Sequence, residues 1–265
     1  NAKLHFGYRD AGDAYSPDGP IPNSRFTDWN VSGRIAVRTF ENHEFSINYQ
    51  KYEGSAGIPG GDNFPNSARA SYLDFDRELV SLEYQIIDLL PTLKTLRAKY
   101  YHQDIFRNVE VIPNVPSNTN GNMRVTPQLL NPSATHLTNG GLIESQWVFG
   151  GRHELTVGWE LWQRDLESQR TRHILQELLD SAGNVVNSID LIKGETPIPT
   201  SSFQSNGVFA QYNIRILPKL DFTAGGRLDR ITLSNEESRD PEYLIRNGER
   251  TDNPPGQIIV YPDTS

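Results

Sequence analysis

The sequence predicts an all-β protein: an antiparallel up-and-down transmembrane β-barrel, here about nine strands forming an incomplete barrel. Three observations lead there. The longest unbroken apolar run is Ile258 to Tyr261, far short of the roughly 20 residues that a membrane helix needs. Apolar and polar residues alternate with period two along much of the chain, the mark of strands with one apolar face. The connections between these segments are alternately short and long, as tight periplasmic turns and long outer loops require.

The strands are justified in turn. Leu4, Phe6 and Tyr8 share a face at the start. Val31, Ile35 and Val37 oppose Asn30, Ser32, Arg34 and Arg38; across a turn at 41–43, Phe45, Ile47 and Tyr49 oppose Glu44, Ser46, Asn48 and Gln50. Val80, Leu82, Tyr84 and Ile86 oppose Ser81, Glu83 and Gln85. Beyond a turn at 88–92, Leu96, Ala98 and Tyr100 oppose Arg97, Lys99 and Tyr101. Ile143, Trp147 and Phe149 lead into Gly150-Gly151-Arg152, after which Leu155, Val157, Trp159 and Leu161 oppose Glu154, Thr156, Glu160 and Arg164. His153 to Arg172 is long enough to run well past a bilayer, which a tilted strand crosses in about 9–11 residues. The strictest alternation is Val208 to Ile216, which turns through Leu217-Pro218-Lys219 into Leu220 to Asp229. On the strand at 208–216, Tyr212 and Ile214 are expected to face lipid and Gln211, Asn213 and Arg215 the lumen.

The connections near 11–25, 54–71, 107–141, 173–203 and 235–265 are long, polar and rich in Gly, Pro, Asn and Ser. Thr171 to Asp180 admits two readings: Ile174, Leu175, Leu178 and Leu179 have helical spacing, while Ala182-Gly183-Asn184 suggests the tip of a small outer hairpin. The hairpin is preferred. Ten Trp and Tyr residues, among them Trp29, Trp147, Trp159, Tyr49 and Tyr100, lie in or at the ends of strands, where membrane proteins place aromatic girdles.

With 25 Lys+Arg against 33 Asp+Glu, the formal charge is −8, and no Lys/Arg cluster marks a nucleic-acid partner. Cysteine is absent, so disulfides, thiol catalysis and thiolate metal sites are excluded. No Gly-x-Ser-x-Gly elbow, P-loop or His-Glu-x-x-His occurs, and Gly57-Ile58-Pro59-Gly60-Gly61 is a turn former with no helix after it to cradle phosphate. An enzyme is not expected, nor a bound cofactor. Asp74 with Asp76, and Asp229 with Glu236 and Glu237, read as solvated strand ends rather than calcium sites. His43 and His153 belong to short turns. His102, His136 and His173 lie at or in the long connections, as do Arg107, Asn108 and Arg124, with Tyr101 at the outer end of its strand.

Tyr15 to Phe26, Tyr49-Gln50 running into Gly57-Ile58-Pro59-Gly60, and His153 to Leu161 resemble segments of the TonB-dependent outer-membrane receptor barrel. The most specific series is Gly207-Val208-Phe209-Ala210-Gln211-Tyr212, then Leu217-Pro218-Lys219-Leu220, then Gly225-Gly226-Arg227-Leu228-Asp229. It resembles a hairpin widespread in that family. The resemblance implies a 22-stranded barrel plugged by an N-terminal domain, set in lipid and lipopolysaccharide, taking up siderophore-iron, haem or cobalamin with energy delivered through TonB. About nine strands cannot close such a barrel, and neither plug nor TonB box is visible. Residues 1–265 are therefore expected to be the N-terminal part of the barrel domain of a longer protein. A bulky anionic or planar ligand calls for aromatic faces, Arg donors and, for haem, an imidazole. The candidate ligand-binding residues are thus Tyr101, His102, Arg107, Arg124, His136 and His173, with no resident metal. The competing readings are a passive porin-type channel and a soluble β-rich binding or carbohydrate-active domain.

Overall fold

The computed structural model describes residues 1–60 and 67–260; Gly61, the end of the Gly57 turn segment, lies outside them. Fourteen strands organise the description. They are β1 (Ala2–Ala11), β2 (Phe26–Phe40), β3 (His43–Ile58), β4 (Arg69–Ile87), β5 (Leu93–Ile112), β6 (Met123–Phe149), β7 (His153–Leu179), β8 (Val185–Glu195), β9 (Ser201–Leu217), β10 (Leu220–Asn235), β11 (Ser238–Asp240), β12 (Tyr243–Arg246), β13 (Glu249–Asp252) and β14 (Gln257–Ile259). Ten of these, β1 to β10, have ten residues or more; alternation predicts about nine, and the strand it does not count is β8, which lies in the connection near 173–203 and pairs with the outer part of β7.

The long strands pair antiparallel with their sequence neighbours from β1 through β7. β7 is shared: Arg170 to Leu179 pairs with β8, whereas His153 to Leu166 pairs with β9, which pairs in turn with β10. Among the described residues β1 has only β2 beside it and β10 only β9, so the sheet is open. The up-and-down order follows from tight turns at one end. Glu41-Asn42 and Pro218-Lys219 join strands with two residues. Gly150 and Gly151 turn with φ of 56° and 67°, values that glycine adopts without a Cβ clash.

Pairing register carries each strand's two faces across the sheet. One row runs Arg34–Asn48–Ser81–Tyr101–Gly140–Trp162–Ser205. The opposite face carries rows such as Tyr84–Ala98–Ile143–Trp159–Val208–Leu228. Tyr212 and Ile214 fall on the apolar face, and Gln211, Asn213 and Arg215 on the polar one. The buried hydrophobic residues among those described are only Ala36, Ala70 and Leu93, while Leu4, Phe6, Ile35, Val37, Phe45, Ile47, Val208, Phe222 and Leu228 are exposed on the apolar face. A sheet with no apolar core and one continuous apolar face is solvated by lipid; a soluble sandwich would bury that face.

Two sequence readings are refined. The long connections are shorter than the composition suggests, because β5, β6 and β7 continue as paired ladders far beyond the membrane; β6 and β7 are each 27 residues long. Arg107, Arg124, His136 and His173 therefore stand on strands and not in loops. Above the bilayer both faces meet water, so the alternation fades while the backbone pairing persists. The segment 171–180 is strand, not helix: β7 turns into β8 through an Asp180-Ser181-Ala182-Gly183-Asn184 tip. There Ala182 N and Asn184 N both donate to Asp180 Oδ1 at 2.8 Å, and Gly183 takes φ 84°. The Asn184 amide holds the Asp180 carboxyl below its ordinary range.

Candidate wall site on the polar face

Near the turns the polar face is internally neutralised. Arg34 lies 3.3 Å from Glu44, Arg97 2.9 Å from Glu144, and Arg227 2.9 Å from Glu160 and 2.7 Å from Asp229. Arg34–Glu44 and Arg97–Glu144 span neighbouring strands, Arg227 and Asp229 are successive same-face positions, and Arg227 reaches Glu160 across the intervening β9 at Gly207, an arrangement that suits a wet lumen. Two glycines are required by aromatic rings laid across the sheet. A Cβ on Gly158 would sit 2.3 Å from Phe209 Cζ, and one on Gly140 2.3 Å from Tyr101 Cζ. Phe209 and Gly158 are paired residues, as are Tyr101 and Gly140, so each ring fills the space left by its partner.

Further from the turns the charge balance changes. Arg77 pairs with Ile105, Ile105 with His136, and Thr138 with Arg164. The sequence Arg77 (β4), Arg107 (β5), His136 (β6), Arg164 (β7) therefore steps diagonally across four strands on one face, with roughly 7–8 Å per step. The guanidiniums are held by neutral groups. Arg77 donates Nε and Nη2 to Gln103 Oε1 at 3.3 and 3.2 Å. Arg107 lies 5.3 Å over the Phe75 ring. Arg164 donates Nε to Thr138 Oγ1 at 3.2 Å and lies 5.6 Å over Trp162, which stacks on Phe203 at 5.1 Å. Phe75 also packs edge-on to Tyr52, with ring centroids 5.8 Å apart. Burial first, then the charges of Arg107 and Arg164, push His136 below its ordinary pKa of 6.5.

The six residues singled out from sequence thus separate. Arg107 and His136 come together, and Tyr101 lies on the same face nearer the turns, within the electrostatic reach of Glu160 and Arg164. His102 faces the opposite, apolar side, where its Nδ1 is 2.8 Å from Asn139 Oδ1, an oxygen that also accepts from Tyr100 Oη at 2.9 Å. Arg124 is committed to Glu177, with Nε donating at 2.7 Å, and His173 to Asp190. Both lie nine or more residues further out, roughly 30 Å or more along their strands. Arg77, Arg164 and the Phe75 and Trp162 rings were not singled out from sequence. Their signal was parity: Arg164 alternates with the apolar Trp159 and Leu161, as Lys99 and Tyr101 do with Ala98 and Tyr100. Among the described residues no group of three or more His, Asp or Glu could hold a metal ion; Asp74 instead accepts from Asn108 at 2.9 Å and Asp229 from Arg227.

The comparisons agree with this architecture. The model of the family described as "TonB dependent receptor-like, beta-barrel" matches residues 5–254. The chain belongs to the TonB-dependent receptor β-barrel family. Its strands accordingly lie in the outer membrane of Gram-negative bacteria, with the apolar face to lipid and the polar face to the lumen. Among solved structures, the copper transporter OprC superposes with a TM-score of 0.65 at 15 % identity, over 97 % of this chain and 37 % of that one. That similarity concerns the fold, and this chain spans little more than a third of OprC's length. No curated protein matches the chain by sequence. No helix among the described residues is long and apolar enough to cross a membrane, and the membrane is crossed by strands.

Proposed function

We propose that this chain is wall sequence of an outer-membrane transporter that takes up a small metal complex, with energy supplied by TonB through a plug outside residues 1–265. The family match over residues 5–254 carries the reading. The polar face supports it with charged, aromatic and hydrogen-bonding side chains rather than a uniform channel lining. Siderophore-iron, haem and cobalamin are the ligand classes that the family resemblance implies, and the name of OprC adds copper. For haem, His136 is the imidazole of the arginine wall, since His102 and His173 are turned to other partners. In this reading residues 1–265 form the N-terminal part of the barrel domain.

The test is uptake of radiolabelled metal complexes by cells carrying the full-length protein, with the TonB system intact and deleted. The proposal expects accumulation that requires both the protein and TonB. Equal uptake without TonB would make the protein a passive porin-type channel.

A further inference from the structure

We propose that the lipid-facing side of the barrel carries a fixed slot, across β4 to β7, for one acyl chain of lipopolysaccharide in the outer leaflet. The inference stands on membership of the barrel family and is independent of what the protein transports. A groove of about 600 Å³ opens on this face, a volume typical of ligand clefts. Strand register explains it. One row runs Tyr84–Ala98–Ile143–Trp159, and the next row outward Leu82–Tyr100–Gly141–Leu161. Ala98 thus lies between Tyr84 and Ile143, and Gly141 between Tyr100 and Leu161, which hollows the face along a line from one small residue to the other. The protein's own packing does not require Gly141 to be small. A Cβ there would meet only Lys99 O, at 3.7 Å, which is ordinary contact, whereas the space beside Gly140 is filled by the Tyr101 ring. Glycine inside a strand weakens it and marks places where something else approaches the backbone closely. At Gly141 that something comes from outside the protein.

The walls of the groove are held still. Tyr100 Oη donates to Asn139 Oδ1 at 2.9 Å and Trp159 Nε1 to Asn206 Oδ1 at 2.6 Å, so each ring has its polar end tied and its flat side exposed. Rings fixed beforehand lose little freedom when a chain packs against them. The level is that of the outer leaflet. β7 begins at His153 beside a periplasmic turn, and a tilted strand crosses the bilayer in about 9–11 residues, which puts Trp159 and Leu161 in the outer half and Gln163 at its limit. There the groove is rimmed by Asn139, Gln163 and Gln204, side by side on β6, β7 and β9. Side-chain amides both donate and accept. They suit an acyl chain that carries amide and hydroxyl groups near its head, as those of lipopolysaccharide do; a glycerophospholipid's ester groups only accept. One row further out stand Glu78, Asp104 and Asp165, which repel bare phosphate, so the headgroup needs magnesium as its counter-ion.

The test is native mass spectrometry of the full-length protein in detergent with magnesium, titrated with rough-type lipopolysaccharide or with dioleoylphosphatidylethanolamine. One saturable lipopolysaccharide adduct is expected, about tenfold tighter than the phospholipid through its extra hydrogen bonds. Gly141→Phe places a ring in the slot and should weaken that adduct about tenfold or more. Gly33→Phe is the matched control. Gly33 lies on the same lipid face outside the groove, where a Cβ would meet Leu4 Cδ1 and Lys3 O at 3.7 Å, and its substitution should leave the adduct intact. Folding of each variant is read from its resistance to unfolding on a gel in dodecyl sulfate. If Gly141→Phe does not fold, Trp159→Ala decides, since it removes a wall instead of filling the slot and should weaken the adduct about fivefold or more. Equal binding of the two lipids would overturn the proposal, as would a folded Gly141→Phe or Trp159→Ala protein with wild-type affinity. So would a Gly33→Phe protein that loses as much as Gly141→Phe, or a second copy of the protein seated in place of lipid. None of these outcomes depends on TonB, so the transport reading stands or falls separately, by uptake.

Discussion

Removing the Glu195 carboxylate should loosen the outer hairpin without touching the membrane-embedded sheet. Glu195 ends β8, and its side chain is 1 % exposed. Arg170 Nε donates to Oε2 at 2.6 Å, Arg172 Nη2 at 3.1 Å, and Lys193 Nζ lies 3.0 Å from Oε1. Lys193 also reaches Asp240 of β11 at 2.9 Å, so one buried anion fastens β7, β8 and the segment beyond β10 together. In E195A three cations face one remaining carboxylate. Taking one partner from a buried ion pair costs about 3–5 kcal/mol. The cations here are 27 %, 39 % and 26 % exposed, so water recovers part of that, and about 3 kcal/mol is expected. This corresponds to roughly a 100-fold rise in the opening equilibrium of β8. Hydrogen exchange read by mass spectrometry on peptides covering β8 and the outer half of β7 measures it, with β2–β4 peptides as the unchanged control. E195Q keeps the shape and an acceptor and should open less than E195A. Exchange in β8 within threefold of wild type for E195A would refute the reasoning, because the carboxylate would then be dispensable despite its burial.

Three further outcomes follow from the same geometry. Ile47→Arg on the lipid face should cost about 2–4 kcal/mol of folding stability in bilayers and Asn48→Arg, one residue along on the polar face, about 1 kcal/mol or less; denaturant titration in vesicles compares them, and equal costs would refute the facing. Gly140→Ala should cost about 1–3 kcal/mol by displacing the Tyr101 ring, but almost nothing when introduced into Tyr101→Ala, a non-additivity that unfolding measurements detect. His136 should titrate below 6.5 by NMR and move up in R107Q/R164Q. Because the folded state disfavours this proton, the site costs nothing above about pH 6.5 and destabilises progressively as pH falls from there towards the folded pKa.

The extent to which the polar-face site was legible depends on height above the membrane. Arg97, Lys99 and Tyr101 could be assigned a face because Leu96, Ala98 and Tyr100 alternate with them, and lipid enforces that alternation. Beyond it the sequence around Arg107, Arg124 and His136 turns polar on both faces, and composition alone makes strand and loop look alike. His102 misled for a related reason. It follows Tyr100 and Tyr101 closely enough to look like a member of a binding group, yet one residue along a strand is a full change of face. Arg124 and His173 carried suitable chemistry, but their neighbours Glu177 and Asp190 lie 53 and 17 residues away in sequence, and local reading has no access to such partners.

By itself the sequence determined nine of the ten long strands, all but β8, with their short turns, the direction of each face inside the membrane and the family. All of these depend on contacts a few residues apart or on a single solvent, lipid, that acts on every strand alike. Register between strands decided the rest. It set Arg77, Arg107, His136 and Arg164 on adjacent diagonals, laid Tyr101 over Gly140, and buried Glu195 among cations from two strands. Such placements depend on how far each strand slides against its neighbour. A slide of one residue exchanges every face, and only the assembled sheet fixes it.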